Sequence, residues 1–241
     1  MAVVMITGGT GDLGKAVARH LAAQEDTVVV AGRELETARQ SAAEVDAADA
    51  VAFDVADPDD CERAVADVLD RHGSLDGLVC CAASFAFVEA LDLSVEQVEE
   101  MLRVNVIGSL LPSQAAARAM IASGAGGSIV LFSSSAGARA VGAPAYSASK
   151  AAVEALTREL GLALAPHRIR VNAVSPGLID SRMSAPAIGD PDTLGHFMAH
   201  TPLGRPGVPD EVAAVTAFLL GDGAGYVTST VVPVDGGFLS R

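Results

Sequence analysis

The chain has 241 residues, 50% of them hydrophobic and 19% charged, which is enough apolar material for one sizeable core and argues against a disordered chain. A formal net charge of −14 argues against nucleic acid or an anionic membrane as the main partner, because either would need clustered Lys and Arg. Three cysteines, Cys61, Cys80 and Cys81, make no disulfide framework and have no histidine cluster beside them, so a reducing, cytoplasmic compartment and no metal site are expected.

Short apolar runs bounded by Gly, Asp or Arg alternate with longer stretches of helical period. Strands are predicted at 2–7, 27–31, 50–53, 77–80, 128–133, 168–174 and 230–234, and helices at 13–23, 35–45, 59–71, 95–122, 145–165 and 209–220. This alternation is that of parallel strands joined by crossover helices. It predicts a single domain over 1–241, α/β in class: a Rossmann-like doubly wound parallel sheet of about seven strands with helices on both faces. Residues 2–6 run straight into Thr7 and Gly8 without a basic leader or a long apolar stretch, so neither secretion nor a membrane span is expected.

The first strand leads into Thr7-Gly8-Gly9-Thr10-Gly11-Asp12-Leu13-Gly14, which opens the first helix. Glycines there let the backbone turn tightly and lie against a pyrophosphate, and a helix N terminus offers free amides to it. The second strand ends at Gly32 and Arg33, where a ribose-binding carboxylate would mark NAD; a guanidinium suits a 2′-phosphate, so NADP(H) is favoured over NAD(H). The fifth strand runs into Ser133-Ser134-Ser135-Ala136-Gly137, and the next helix opens with Tyr146 and Lys150. Four residues apart, these two share a helix face. The ammonium is expected to lower the phenol pKa from roughly 10 and make Tyr146 a general acid or base. The chain holds two tyrosines and two lysines in all, and one of each falls in this five-residue segment. Segment 178–209, rich in Gly, Pro, His and Met and weakly periodic, is expected to be a long loop serving as a substrate lid.

In this order the pieces resemble the classical short-chain dehydrogenase/reductase family over essentially the whole chain. The resemblance is carried by the 7–14 turn, Asp54-Val55, Val104-Asn105-Val106, the serine run, Tyr146-Ser147-Ala148-Ser149-Lys150, Val171-Asn172 with Pro176-Gly177, and Val234-Asp235-Gly236-Gly237. It implies that Tyr146 exchanges the proton, Ser134 bonds the substrate oxygen, Lys150 tunes Tyr146 and binds the nicotinamide ribose, and Asn105 holds a relay water. Aligning Ala136-Gly137 selects Ser134, while counting back from Tyr146 selects Ser133; Ser134 is favoured because a loop absorbs a deletion more easily than a strand end shifts register. The implied cofactor set is Gly8, Thr10, Gly11, Asp12, Leu13, Gly14, Arg33, Asp54 at the adenine, Val55, Ala82, Tyr146, Lys150, Pro176, Gly177, Ile179 near the nicotinamide amide, and Ser181.

Two departures stand out: Asp12 replaces the family's middle glycine, and Cys80-Cys81-Ala82-Ala83 replaces Asn-Asn-Ala-Gly. The expected activity is hydride transfer between NADP(H) and a carbonyl or alcohol, with an apolar or cyclic ketone against Phe85, Phe87, Met183, Phe197 and Met198, and His196 and His200 on the lid. Alternatives are a non-catalytic, NADP-binding regulatory protein, or an epimerisation or dehydration run by the same residues. The resemblance also implies a homotetramer or homodimer.

Overall fold

The computed structural model describes residues 1–240. Seven strands, β1 (Val3–Thr7), β2 (Thr27–Gly32), β3 (Asp49–Ala52), β4 (Gly77–Cys80), β5 (Gly127–Phe132), β6 (Ile169–Pro176) and β7 (Val231–Val234), form one sheet. Their order is β3-β2-β1-β4-β5-β6-β7, and every neighbouring pair is parallel. The strands read as continuous apolar runs because both faces are covered. Along β1, Val3 and Met5 enter one core while Val4 and Ile6 enter the other.

Nine α-helices lie among the described residues: α1 (Asp12–Ala22), α2 (Leu35–Glu44), α3 (Pro58–His72), α4 (Val95–Leu102), α5 (Gly108–Ser123), α6 (Pro144–Leu164), α7 (Ala185–Gly189), α8 (Pro191–His200) and α9 (Pro209–Leu220). The core on one face takes Val65 and Val68 of α3, Ala116 and Met120 of α5, and Val153 of α6. The opposite core takes Val17 and Leu21 of α1, Ala38 of α2, and Val212 and Leu219 of α9. This is the doubly wound arrangement expected, with the order reversing between β1 and β4, the place where such sheets open a crevice at their carboxyl ends.

Two segments differ from expectation. The single helix at 95–122 is interrupted by a π-helical turn at Arg103–Ile107, which still presents apolar residues at near-helical spacing and so leaves no break in the pattern. Segment 178–209 is not all loop, because α7 and α8 lie within it. The side chain of Asp190 accepts from the Thr193 amide at 3.0 Å, and Pro191 starts α8, yet α8 buries no residue fully, so its period has little to register in sequence.

Candidate active site

The glycine turn is fitted to the crevice by contacts that a side chain would break. Gly8 has φ +64°, and a Cβ there would stand 2.6 Å from the Ala82 amide nitrogen at the end of β4. A Cβ on Gly14 would stand 2.4 Å from the Gly8 carbonyl oxygen, so α1 starts hard against the turn. Gly11 precedes α1 in extended conformation, and no side chain among the described residues caps that helix. Its first amides are therefore left without a side-chain cap, the condition in which a helix N terminus can take an anion. Leu13 packs against the core on the α1 side.

Asp12, the first residue of α1, turns its carboxylate toward the segment after β6. Oδ2 accepts from the Arg182 backbone amide at 2.7 Å, and Oδ1 accepts from Arg182 Nε at 2.8 Å. Arg182 Nη2 also donates to the Thr10 carbonyl at 3.1 Å. On the far side of the turn, Thr10 Cγ2 packs so closely on Gly32 that a Cβ there would stand 2.9 Å away, and the next residue, Arg33, is exposed. Lys15, in the first turn of α1, is paired with Glu44 at 2.5 Å.

Beyond β3, Asp54 accepts from the Ala56 amide at 2.9 Å and from Arg103 Nη1 at 3.1 Å. The Ala56 amide first, and then Arg103, hold its carboxyl below the usual range against some burial. Val55 meets Gly108 so closely that a Cβ there would lie 2.6 Å from Val55 Cγ2. At the end of β6, the Gly177 amide donates to the Val234 carbonyl at 3.0 Å, which fixes Pro176-Gly177 beside β7. Ile179 is buried and bridges Gly207, and the Ser181 and Ser184 hydroxyls are 3.1 Å apart.

The residues after β5 and at the start of α6 converge. Lys150 is buried and donates Nζ to the Phe132 carbonyl at 2.7 Å, 5.7 Å from the centre of the Tyr146 ring. Burial pulls it down to about 8. The Tyr146 hydroxyl lies close enough to Ser134 for that side chain to favour its ionised form, and the Ser134 hydroxyl accepts from the Ala136 amide at 3.2 Å. Ser133 lies just past the end of β5 and turns the other way, donating to the Lys150 carbonyl and to Glu154, each at 3.1 Å. One expectation is corrected here: the Tyr146 phenol is raised, not lowered, because burial outweighs every favourable contact and the neighbouring Ser134 offsets only part.

Asn105 sits in the π turn, fully buried, and its side chain ties three elements. Its Oδ1 accepts from the Ser84 amide at 2.8 Å, and its Nδ2 donates to the Ser84 carbonyl at 3.0 Å and to Ser149 Oγ at 2.8 Å. Ser149 in turn donates to the Tyr146 carbonyl at 2.7 Å. Burial holds the thiols of Cys80 and Cys81 up at about 12, which keeps both protonated.

Phe85 packs edge-on against Tyr146 with ring centres 4.9 Å apart. Beside them opens a cleft of about 700 Å³ lined by Phe87, Ala136, Arg139, Val141, Pro144 and Ser147, among others. The Ser147 hydroxyl is buried there without a hydrogen-bond partner among the described residues. Phe197 does not reach Tyr146; it stacks on Phe238 at 5.7 Å, and Arg139 covers the other ring at 4.6 Å and donates to the Phe238 carbonyl at 2.8 Å. His200 is bonded to the His196 carbonyl, and Met183 is largely exposed. Sequence reasoning missed Ser84, Ser149, Arg103 and Arg182. Only the last had a visible signal, since an acidic residue in an anion-binding turn calls for a cation.

The comparisons agree with this geometry. A family model described as Enoyl-(Acyl carrier protein) reductase matches residues 10–239. A sorbitol dehydrogenase of Cereibacter sphaeroides is 38% identical over 97% of this chain and 95% of its own length. A short-chain type dehydrogenase/reductase from Mycobacterium ulcerans superposes with a TM-score of 0.95 at 31% identity, covering 100% of this chain and 90% of that one. A gluconate 5-dehydrogenase from Burkholderia cenocepacia J2315, solved in complex with NADP and tartrate, gives a TM-score of 0.95 at 29% identity over 100% and 96% of the two chains.

Proposed function

The chain belongs to the short-chain dehydrogenase/reductase family, an oxidoreductase class, and from that membership we propose that it interconverts a carbonyl compound and its alcohol with NADP(H). The observation that carries the reading is the meeting of Tyr146, Ser134 and Lys150 at the carboxyl end of the sheet, beside the glycine turn. The turn fits a dinucleotide, since Gly8 and Gly14 leave the backbone bare and the α1 amides open. When bound, the nicotinamide supplies or accepts the hydride.

The chain's own residues do the rest. The raised phenol keeps Tyr146 protonated at neutral pH, so it gives its proton to the carbonyl oxygen as that oxygen gains negative charge. Ser134, beside the same hydroxyl, holds that oxygen in place. Lys150 carries the positive charge closest to the phenol, reaches the nicotinamide ribose, and stabilises the phenolate left behind. Asn105 is a positioning residue: its side-chain amide is fully engaged by Ser84 and Ser149, and it is the residue we propose holds a relay water. Asp54 and Val55 take the adenine end, and Ile179 and Ser181 the nicotinamide amide.

The end of β2, Gly32 followed by the exposed Arg33, supports NADP(H) over NAD(H), because it offers a guanidinium where a ribose-binding carboxylate would mark NAD. The mainly apolar cleft lining supports an apolar or cyclic ketone. A second reading, a polyhydroxylated substrate, is favoured by the unpartnered Ser147 hydroxyl and by relatives that are a sorbitol dehydrogenase and a gluconate 5-dehydrogenase. Segment 178–209 is proposed as the lid, the compartment as cytoplasmic and the assembly as a homo-oligomer.

The deciding experiment titrates NADPH and NADH, then assays cyclic ketones against sugars and polyols, with wild type and Tyr146→Phe. NADPH should bind at least about tenfold more tightly than NADH. The variant should keep NADPH binding and lose roughly 100-fold or more in turnover. Unchanged carbonyl reduction by Tyr146→Phe would defeat the mechanism, and a wild type that binds NADPH but turns over nothing would favour the regulatory reading.

A further inference from the structure

Asp12 stands where a negative charge is least welcome for a protein whose glycine turn holds a pyrophosphate. It is the first residue of α1, beside amides that no side chain caps among the described residues. A carboxylate left free there would repel an anionic ligand and compete for the same amides. In this protein the carboxylate is not free. Three donors of one residue, the backbone amide, Nε and Nη2 of Arg182, converge on the two Asp12 oxygens, across 170 positions of sequence, and on the Thr10 carbonyl, across 172.

An exposed ion pair of this kind contributes little to stability, and Arg182 is 71% exposed. Its significance lies in the placement of charge. Arg182 follows Ile179 and Ser181 on the segment that leaves β6, so one stretch of chain reaches both the glycine turn and the proposed nicotinamide end. We propose that Arg182 is a cofactor-positioning residue that acts through Asp12: by cancelling the Asp12 carboxylate it lets a dinucleotide pyrophosphate lie on the α1 amides. Asp12 and Arg182 thus form a matched pair, and Arg182 matters for binding only while an acid occupies position 12. The inference rests on the proposed binding of NADP(H).

That dependence distinguishes this role from direct phosphate contact. NADPH affinity is measured by fluorescence titration, without substrate, for wild type, Arg182→Ala, Asp12→Gly and the double variant. Arg182→Ala should weaken binding by about tenfold, the scale of one uncompensated charge near an anion in a partly solvated site. Asp12→Gly should bind at least as well as wild type, and the double variant should return to within about twofold of Asp12→Gly. Arg182→Lys, which keeps the charge, should recover part of the loss.

An equal loss on removing Arg182 in both backgrounds would overturn the proposal in favour of a direct contact between Arg182 and the nucleotide. No loss in either background would overturn it as well. A wild type that binds neither NADPH nor NADH would instead defeat the cofactor reading and remove the premise, an outcome recognisable before any variant is made.

Discussion

Lys150 is the one charged side chain among the described residues that is fully buried, and its burial sets a pH dependence for folding. The folded chain holds this lysine at about 8, against 10.5 for the ordinary group. Below about pH 8 the ammonium is charged in both states, and folding carries the penalty of burying it. From 8 to 10.5 the unfolded chain binds the extra proton, so stability rises with pH; above 10.5 the penalty is gone. The penalty is on the order of 3 kcal/mol. Lys150→Met removes it at every pH and adds a constant loss of about 1 kcal/mol from the orphaned Phe132 carbonyl. In urea titrations at pH 7 and pH 10, wild type should therefore gain on Lys150→Met as pH rises; parallel profiles would mean that Lys150 is not held near 8. Burial also explains the residue misread from sequence. The i, i+4 spacing shows Lys150 close to Tyr146, but not that the phenol is enclosed or that the ammonium turns to Phe132, and enclosure decides the direction. The two serines are similar: spacing leaves Ser133 and Ser134 open, while side-chain direction sends only Ser134 to the phenol.

The π turn at Arg103–Ile107 places Asn105 where its amide meets both the stretch after β4 and the first turns of α6. Asn105→Ala would leave Ser84's half-buried backbone groups and the buried Ser149 hydroxyl short of partners, and should lower stability by roughly 1–3 kcal/mol in urea unfolding. Ser149→Ala removes one of these bonds and should cause a smaller loss of about 1 kcal/mol. Equal stability of Asn105→Ala and wild type would show that the side chain does not staple these elements. The strands were legible because a parallel sheet covered on both faces reads as unbroken apolar runs, and β1, β2, β4 and β5 are such runs. The π turn was not, since it changes the hydrogen-bond register while preserving near-helical spacing. Helices α7 and α8 were hidden for a different reason, because neither buries a residue fully and no apolar stripe marks them.

At the scale of the whole molecule, apolar exposure and net charge act in opposite directions. Leu156, Leu160 and Leu164 of α6 pack toward the sheet, whereas Leu162 points outward and is 73% exposed, with Ile107 and Ile121 at 42% and 39% on the π turn and α5. Burying such side chains between copies favours association, consistent with the proposed homo-oligomer. Each chain also carries a formal charge of −14, so assembly brings like charges together. Salt screens that repulsion over a Debye length of roughly 8 Å at physiological ionic strength and leaves apolar contact intact. Association should therefore strengthen from low to moderate salt, the reverse of an interface held by ion pairs. Sedimentation equilibrium in about 0.15 M salt should give two or four times the 24.3 kDa chain mass, with more single chain near 0.01 M. Leu162→Glu should shift the population toward single chains at every salt concentration, because it adds a charge where an apolar side chain was to be covered. A single 24.3 kDa species across the whole range would reject the assembly, and a Leu162→Glu variant that assembles like wild type would move the interface away from α6.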